Sequence, residues 1–194
     1  RPTRSSGDGH VLAWDYLYYH FQANAQAKGL GYIIPLGTDL RPVTAGSELI
    51  TPSAAHPPLY STYLALWSKL GIDTVTGHRL ASCLVGAATV ALVGVLAHRL
   101  APSATATRVG LGAAAVAALY PGLWINDGVL LSETAATFTV TLAVLAAYVF
   151  WDRPTWANAA LLGGAIGLAA LSRSEALALI AFVGLDLKRI QVLD

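Results

Sequence analysis

The chain has 194 residues, 55% of them hydrophobic and 12% charged, with a net charge of +1. A soluble globule carries roughly 25% charged residues, so this composition excludes an ordinary water-soluble domain. It contains no basic run of the kind that binds nucleic acid, and nucleic acid is not an expected partner. A single cysteine, Cys83, excludes an internal disulfide and reads as a small core residue within an apolar run.

The polar residues are gathered at the front. Residues 1–79 hold 11 of the 23 charged side chains and 9 of the 17 aromatics, and beyond Arg79 the chain becomes long runs of Ala, Leu, Val and Gly. We divide it into a water-exposed segment, residues 1–79, and a membrane helix bundle, residues 80–194. The chain holds no methionine, opens on Arg1-Pro2-Thr3-Arg4 without a signal peptide or preceding span, and stops at Asp194 after an apolar run. It is expected to be an internal or truncated piece of a longer protein.

Residues 1–10 are polar and contain glycine. From Val11 to about Ala27, the residues Val11, Trp14, Tyr18, Phe21 and Ala25 fall on one helical face, although the alternation Trp14, Tyr16, Tyr18 would also suit a strand. Five aromatics between Trp14 and Phe21 suit a helix at a membrane interface; an aromatic core stripe would use the same residues. Residues 29–55 are rich in Gly, Pro, Thr and Ser and read as loop. Pro57 and Pro58 then open a second amphipathic helix over 57–70, ended by Gly71. Five apolar helices follow, near 80–97, 109–119 (with a possible extension past Pro121), 129–150, 157–171 and 176–187, the last incomplete. Gly163 and Gly167 have the spacing that lets another helix approach closely. The fold class is thus all-α: a polytopic membrane helix bundle with amphipathic juxtamembrane helices in a long extracytoplasmic loop.

Alternate loops carry the positive charge. Arg99 and Arg108, then Arg153, then Lys188 and Arg189 mark three loops as cytoplasmic, whereas loop 120–128 has only Asp127. That loop, the turn at Arg173 and residues 1–79 are then expected outside a cell membrane crossed several times. Several polar residues consequently gather at one face: Asp8, Asp15, His56, Arg79, Asp127, Glu133, Arg173 and Glu175. Glu133, Thr137 and Thr141 recur every four residues and form a polar stripe, which in a membrane helix belongs toward a bundle or cavity. A carboxylate resting among lipid headgroups would need no role. Asp8, between two glycines, has the look of a turn residue when taken alone. His56, by itself, is more often structural than a metal ligand.

Five motifs run in order: Gly7-Asp8-Gly9 leading into an aromatic helix; Ala55-His56-Pro57-Pro58-Leu59-Tyr60; Gly77-His78-Arg79-Leu80-Ala81-Ser82; Tyr120-Pro121 with Leu131-Ser132-Glu133-Thr134; and Leu171-Ser172-Arg173-Ser174-Glu175-Ala176. Together they resemble the GT-C class of membrane glycosyltransferases, and within it the actinobacterial branch of the protein O-mannosyltransferase and aminoarabinose transferase superfamily. The match covers only the N-terminal part of such a protein. It lacks the helix that precedes the acidic loop and the second half of the bundle.

The resemblance implies transfer of a sugar from a polyprenyl-phosphate donor to an acceptor protein, glycan or lipid at the outer membrane face. It implies Asp8 as general base and Glu133 as a second catalytic acid. Arg173 is implied as a contact to the donor phosphate, Arg79 as a weaker one, and Asp15 and Glu175 as further substrate-binding residues. The cofactor is unknown; a divalent metal ion at His56 is the one the resemblance suggests. This piece alone is expected to be inactive. The alternatives are half of a transporter or flippase, which would more often hold its ionisable groups near the midplane on broken helices, and a non-catalytic membrane scaffold.

Overall fold

The structure, a computed structural model, describes residues 8–37, 41–44, 46 and 50–179, with side chains from Asp15 onward. Its described elements are seven α-helices and one 3-10 turn: α1 (Asp8–Ala27), α2 (Pro58–Lys69), α3 (Val75–Leu100), α4 (Ala106–Leu119), α5 (Pro121–Val129), α6 (Glu133–Asp152), α7 (Trp156–Ser172) and the turn Ser174–Leu177. There is no named strand among the described residues; two isolated bridges, Ile33 to Pro52 and Leu36 to Pro42, tie the loop after α1 to itself.

The helix ends follow from local chemistry. α1 and α2 stop in the same way, at a glycine with positive φ, Gly29 (82°) and Gly71 (85°). In each, the next amide reaches back to a carbonyl five residues earlier: Leu30 to Ala25 and Ile72 to Trp67, both at 3.0 Å. α3 begins at Val75 rather than near 80, because the Thr74 hydroxyl accepts the Gly77 amide at 3.0 Å and so caps an earlier first turn. The sequence-based boundary at 79/80 therefore cuts through a helix. α1 starts at Asp8 rather than Val11, so Asp8 is the first helical residue and not a loop residue.

The stretch 120–128, expected largely as a loop, is the helix α5 instead. Pro121 opens it at a position that needs no amide donor. It closes on Leu130, which is left-handed (φ 60°, ψ 57°), so α6 starts at Glu133 and not at 129. The expected fifth apolar helix, 176–187, overlaps the 3-10 turn at its start and otherwise lies largely outside the described residues.

Two helices, α3 and α6, are long and apolar enough to cross a membrane, and the α4–α5 pair, bent by 49°, makes a third if taken as one broken span. Only 17% of the most apolar window of α3 is buried against the rest of the described protein. The remaining apolar surface needs a nonaqueous neighbour, which a bilayer supplies. α6 has 20 residues and so is roughly 30 Å long, about the thickness of a bilayer's hydrocarbon core.

The helices α3 and α6 run in the same direction. At one end, Ala81 and Ala135 share a buried cluster with Tyr19, Tyr60, Leu64 and Leu130. At the other, Arg99 donates to Asp152 at 2.5 Å. α4 returns against α3 with little room: a methyl on Gly110 would lie 2.9 Å from the Gly94 carbonyl and 2.9 Å from His98 Cβ. The close approach expected at Gly163 and Gly167 is not found, since a methyl at either would meet nothing within 4 Å among the described residues.

α1 and α2 are fastened to this layer by buried polar contacts. The Tyr60 hydroxyl meets the Ser82 hydroxyl at 2.6 Å, and the Tyr63 hydroxyl donates to the Ala81 carbonyl at 2.7 Å. A ring of four side chains joins α1, α2 and α3. Ser68 donates to the Asn24 carbonyl oxygen at 2.7 Å and meets His78 Nε2 at 2.9 Å; His78 Nδ1 meets His20 Nδ1 at 3.0 Å; and His20 Nε2 meets the Asn24 amide nitrogen at 3.5 Å. One proton assignment satisfies every contact: Asn24 to His20, His20 to His78, His78 to Ser68, Ser68 to Asn24. Both imidazoles are then neutral.

Candidate functional site

The end of the bundle where α3 and α6 begin and α7 stops carries Glu133 and Arg173. Glu133 is the first residue of α6 and Arg173 directly follows α7, and their side chains form an ion pair, both of them partly exposed. Arg173 keeps other guanidinium N–H groups for a further anion. Glu175, on the 3-10 turn, is exposed and receives a long bond from the Ser174 hydroxyl at 3.5 Å.

A second group lies where α1 meets the chain leading into α2. The His56 Nε2 is 4.0 Å from the Asp15 carboxylate, and its Nδ1 is 3.3 Å from the Tyr19 hydroxyl. The Tyr18 ring lies 4.3 Å from the imidazole, centre to centre. Pro57 and Pro58, immediately after His56, stiffen the backbone that presents it. Asp15, Tyr18 and His56 border a cleft of about 200 Å³, and His56 also borders a larger one of about 610 Å³ that reaches Ala170 and Ser174 beside Arg173.

Tyr19 links the two groups. Burial raises its hydroxyl pKa most, a hydrogen bond with Ser132 opposes this, and the carboxylates of Asp15 and Glu133 raise it further. Tyr19 thus senses both acids and stays a neutral donor. Burial likewise raises Tyr60 far above the ordinary tyrosine range.

Among the residues singled out from the sequence, the structure pairs Glu133 with Arg173 and Asp15 with His56, on elements that meet at one end of the bundle. It does not bring all of them together. Arg79 is exposed on α3 and makes no ion pair among the described residues. The Asp8 side chain lies outside the described residues. Among the described residues His56 has one carboxylate near it, that of Asp15, and no three His, Cys, Asp or Glu side chains converge. The stripe Glu133, Thr137, Thr141 exists, but its hydroxyls turn back to their own helix: Thr137 donates to the Glu133 carbonyl at 2.8 Å and Thr141 to the Thr137 carbonyl at 2.7 Å.

The acid that sequence reasoning undervalued is Asp127. It reads as a loop residue beside Gly128, yet it is only 6% exposed and accepts the Thr134 hydroxyl at 2.8 Å. Its signal was Thr134, seven residues on, which only the α5–α6 joint brings back to it. Glu133, Thr134 and Asp127 all line one cavity of about 370 Å³ between α3, α4, α5 and α6.

No protein-family model matches the chain, and neither a curated protein nor a solved structure is significantly similar to it.

Proposed function

We propose that this chain belongs to a membrane-embedded glycosyltransferase that takes a sugar from a polyprenyl-phosphate donor and passes it to a hydroxyl acceptor at the outer face. The observation that carries the reading is that Arg173, paired with Glu133, sits at the same end of the bundle as the Asp15–His56 contact. A cationic group able to hold a phosphate thus lies at the end that also carries acids able to take a proton. The sequence motifs contain His56, Glu133 and Arg173 among these residues. In this reading α1 and α2 lie along the outer membrane surface and frame the approach to the site, and the bundle crosses the membrane several times.

The acceptor oxygen attacks the anomeric carbon, the bond from that carbon to the lipid phosphate oxygen breaks, and the lipid phosphate leaves with the electron pair. The hydroxyl proton goes to a carboxylate, Asp8 by resemblance, which makes the oxygen a competent nucleophile. Arg173 meets the charge that develops on the departing phosphate. A long apolar donor explains why the chemistry would sit on apolar helices.

The test is release of polyprenyl phosphate by the full-length protein in lipid nanodiscs, supplied with a panel of polyprenyl-phosphate hexoses and pentoses. Release dependent on the protein is expected. Absence of both release and donor binding across the panel would overturn the assignment.

A further inference from the structure

Asp127 is the one ionisable side chain on α5, and its surroundings are unusual. It is 6% exposed, and its Oδ1 accepts the Thr134 hydroxyl at 2.8 Å. Its Oδ2 lies against α3 at Gly86, where any side-chain carbon would overlap the carboxylate. The missing side chain at Gly86 is what makes room for it. Among the described residues no Lys, Arg or His forms an ion pair with Asp127, and no hydrogen bond reaches Oδ2. A carboxylate with one neutral partner, its other oxygen open only to a largely apolar cavity, is costly, and such a group is completed by a proton, by water or by a cation.

The cavity it lines is acceptor-rich. The Thr134 proton is spent on Asp127, the Thr137 proton on the Glu133 carbonyl, and the Asn126 amide donates to the Gly122 carbonyl at 3.0 Å. Oxygen acceptors remain on Asp127 and Asn126, Glu133 is held by Arg173, the Trp124 indole and the second Asn126 amide hydrogen are the donors on the wall, and the rest of the lining is largely apolar. Its volume of about 370 Å³ lies at the lower end of ligand-sized pockets, which run from roughly 300 to 1,000 Å³.

We infer that the cavity between α3, α4, α5 and α6 is a binding site for a ligand with a primary ammonium head and an apolar body, the head on Asp127 Oδ2. An ammonium brings three donors and no acceptor, which suits the free Asp127 oxygen and the Asn126 carbonyl oxygen beside it, and it neutralises the buried charge. Phosphates and carboxylates would face an uncompensated acid. The apolar body lies along Trp124 and the small residues of α3 and α4. The head's place on Asp127 adjoins the Glu133–Arg173 pair proposed above for a phosphate, since Glu133 lines the same cavity, but its test needs no sugar donor.

Cys83 makes the test direct. It is the one cysteine of the chain, is exposed, lines the same cavity and stands one helical turn before Gly86. The protein in lipid nanodiscs is treated with the cationic aminoethyl and the anionic sulfonatoethyl methanethiosulfonates. The two rates at Cys83 are normalised to those with a free thiol. The cation is expected to be favoured about tenfold, and the preference to collapse toward one in Asp127→Asn, whose side-chain oxygen still accepts from Thr134. Benzylamine should slow the modification saturably in the parent protein, with benzoate without effect. That measurement needs no variant and stands if Asp127→Asn does not fold. A normalised ratio near one in the parent, or equal protection by benzylamine and benzyl alcohol, would overturn the inference in favour of a neutral, protonated Asp127.

Discussion

The histidine ring shows how a few side chains set the behaviour of the layer formed by α1, α2 and the start of α3. His20 and His78 are both buried, and their mutual contact accepts only one proton between them. Burial lowers the pKa of His20, and the Asp73 carboxylate offsets this in part; the remaining neighbours, Asn24, Ser68 and His78, are uncharged partners in the ring. The folded state therefore binds this proton less readily than the unfolded chain. Stability is intact above the ordinary histidine pKa, about 6.5, and is lost as pH falls through it, by at most about 1.4 kcal/mol per pH unit for one such histidine. Thermal unfolding in nanodiscs should show the parent losing stability between about pH 7.5 and about pH 5.5. His20→Leu should be weaker at the upper pH by about 1–3 kcal/mol, because it leaves His78 Nδ1 without its partner, but should have a flatter profile. Parallel profiles would remove His20 as the cause. At the other residue of interest, Arg173→Lys keeps the charge but loses the planar two-point fork. Donor affinity and turnover should fall together, whereas Asp8→Asn should still bind donor and lose about 10²–10⁴-fold in rate. Normal turnover in the Asn variant would take Asp8 out of the mechanism.

At the level of elements, α5 is held by geometry as much as by composition. Leu130 is fully buried in a left-handed conformation, which costs a non-glycine residue about 1–2 kcal/mol. The cost is offset by its burial among Tyr19, Tyr60 and Ala135. This joint turns Asp127 toward Thr134 and against Gly86. Gly86→Ala should therefore destabilise by about 1–3 kcal/mol, since the added methyl has no space. Gly112→Ala on α4, where nothing lies within 4 Å, should be neutral or stabilising by up to about 1 kcal/mol. The Gly86→Ala cost should shrink when combined with Asp127→Ala, which removes the clashing group. Additive losses in that double-mutant cycle would show that the α3–α5 contact is not what Gly86 serves.

For the whole molecule, α6 is bracketed by arginine–acid pairs, Glu133 with Arg173 at its start and Asp152 with Arg99 at its end. The length between holds no charged residue, and its four threonines bond to their own helix or to Asp127, so the two pairs suit the two surfaces of a bilayer. In the reading proposed above, the Arg99 end faces the cytoplasm. Leu70 and Trp156, 75% and 93% exposed, lie toward opposite ends of the bundle. In a Cys83→Ala background, an impermeant maleimide added to intact cells should label Leu70→Cys, and should label Trp156→Cys only after permeabilisation. The reverse pattern would invert the topology and place the Glu133–Arg173 end inside.

That α1, α2, α3, α4, α6 and α7 are helices, and that α3 and α6 suit a bilayer, was legible in the sequence, because apolar run length and breaker residues act locally; α5 was not. The gathering of Glu133 with Arg173 and of Asp15 with His56 at one end was legible too, since counting helices orders the loops by side. The hydrogen-bonded ring that joins α1, α2 and α3 was not. His20, Ser68 and His78 lie 48 and 10 positions apart and carry no shared pattern; only packing brings their nitrogens and oxygen into hydrogen-bonding range. Asp127 was hidden for a related reason. Asn126-Asp127-Gly128 has turn chemistry, and a proline before it reads as an end rather than as a start. Whether a carboxylate there meets water or protein depends on one left-handed residue and on the absence of a side chain at Gly86, on another helix. Local sequence determines what each segment can form, while burial of a polar group is decided by what stands opposite it, and that is known only when distant helices have met.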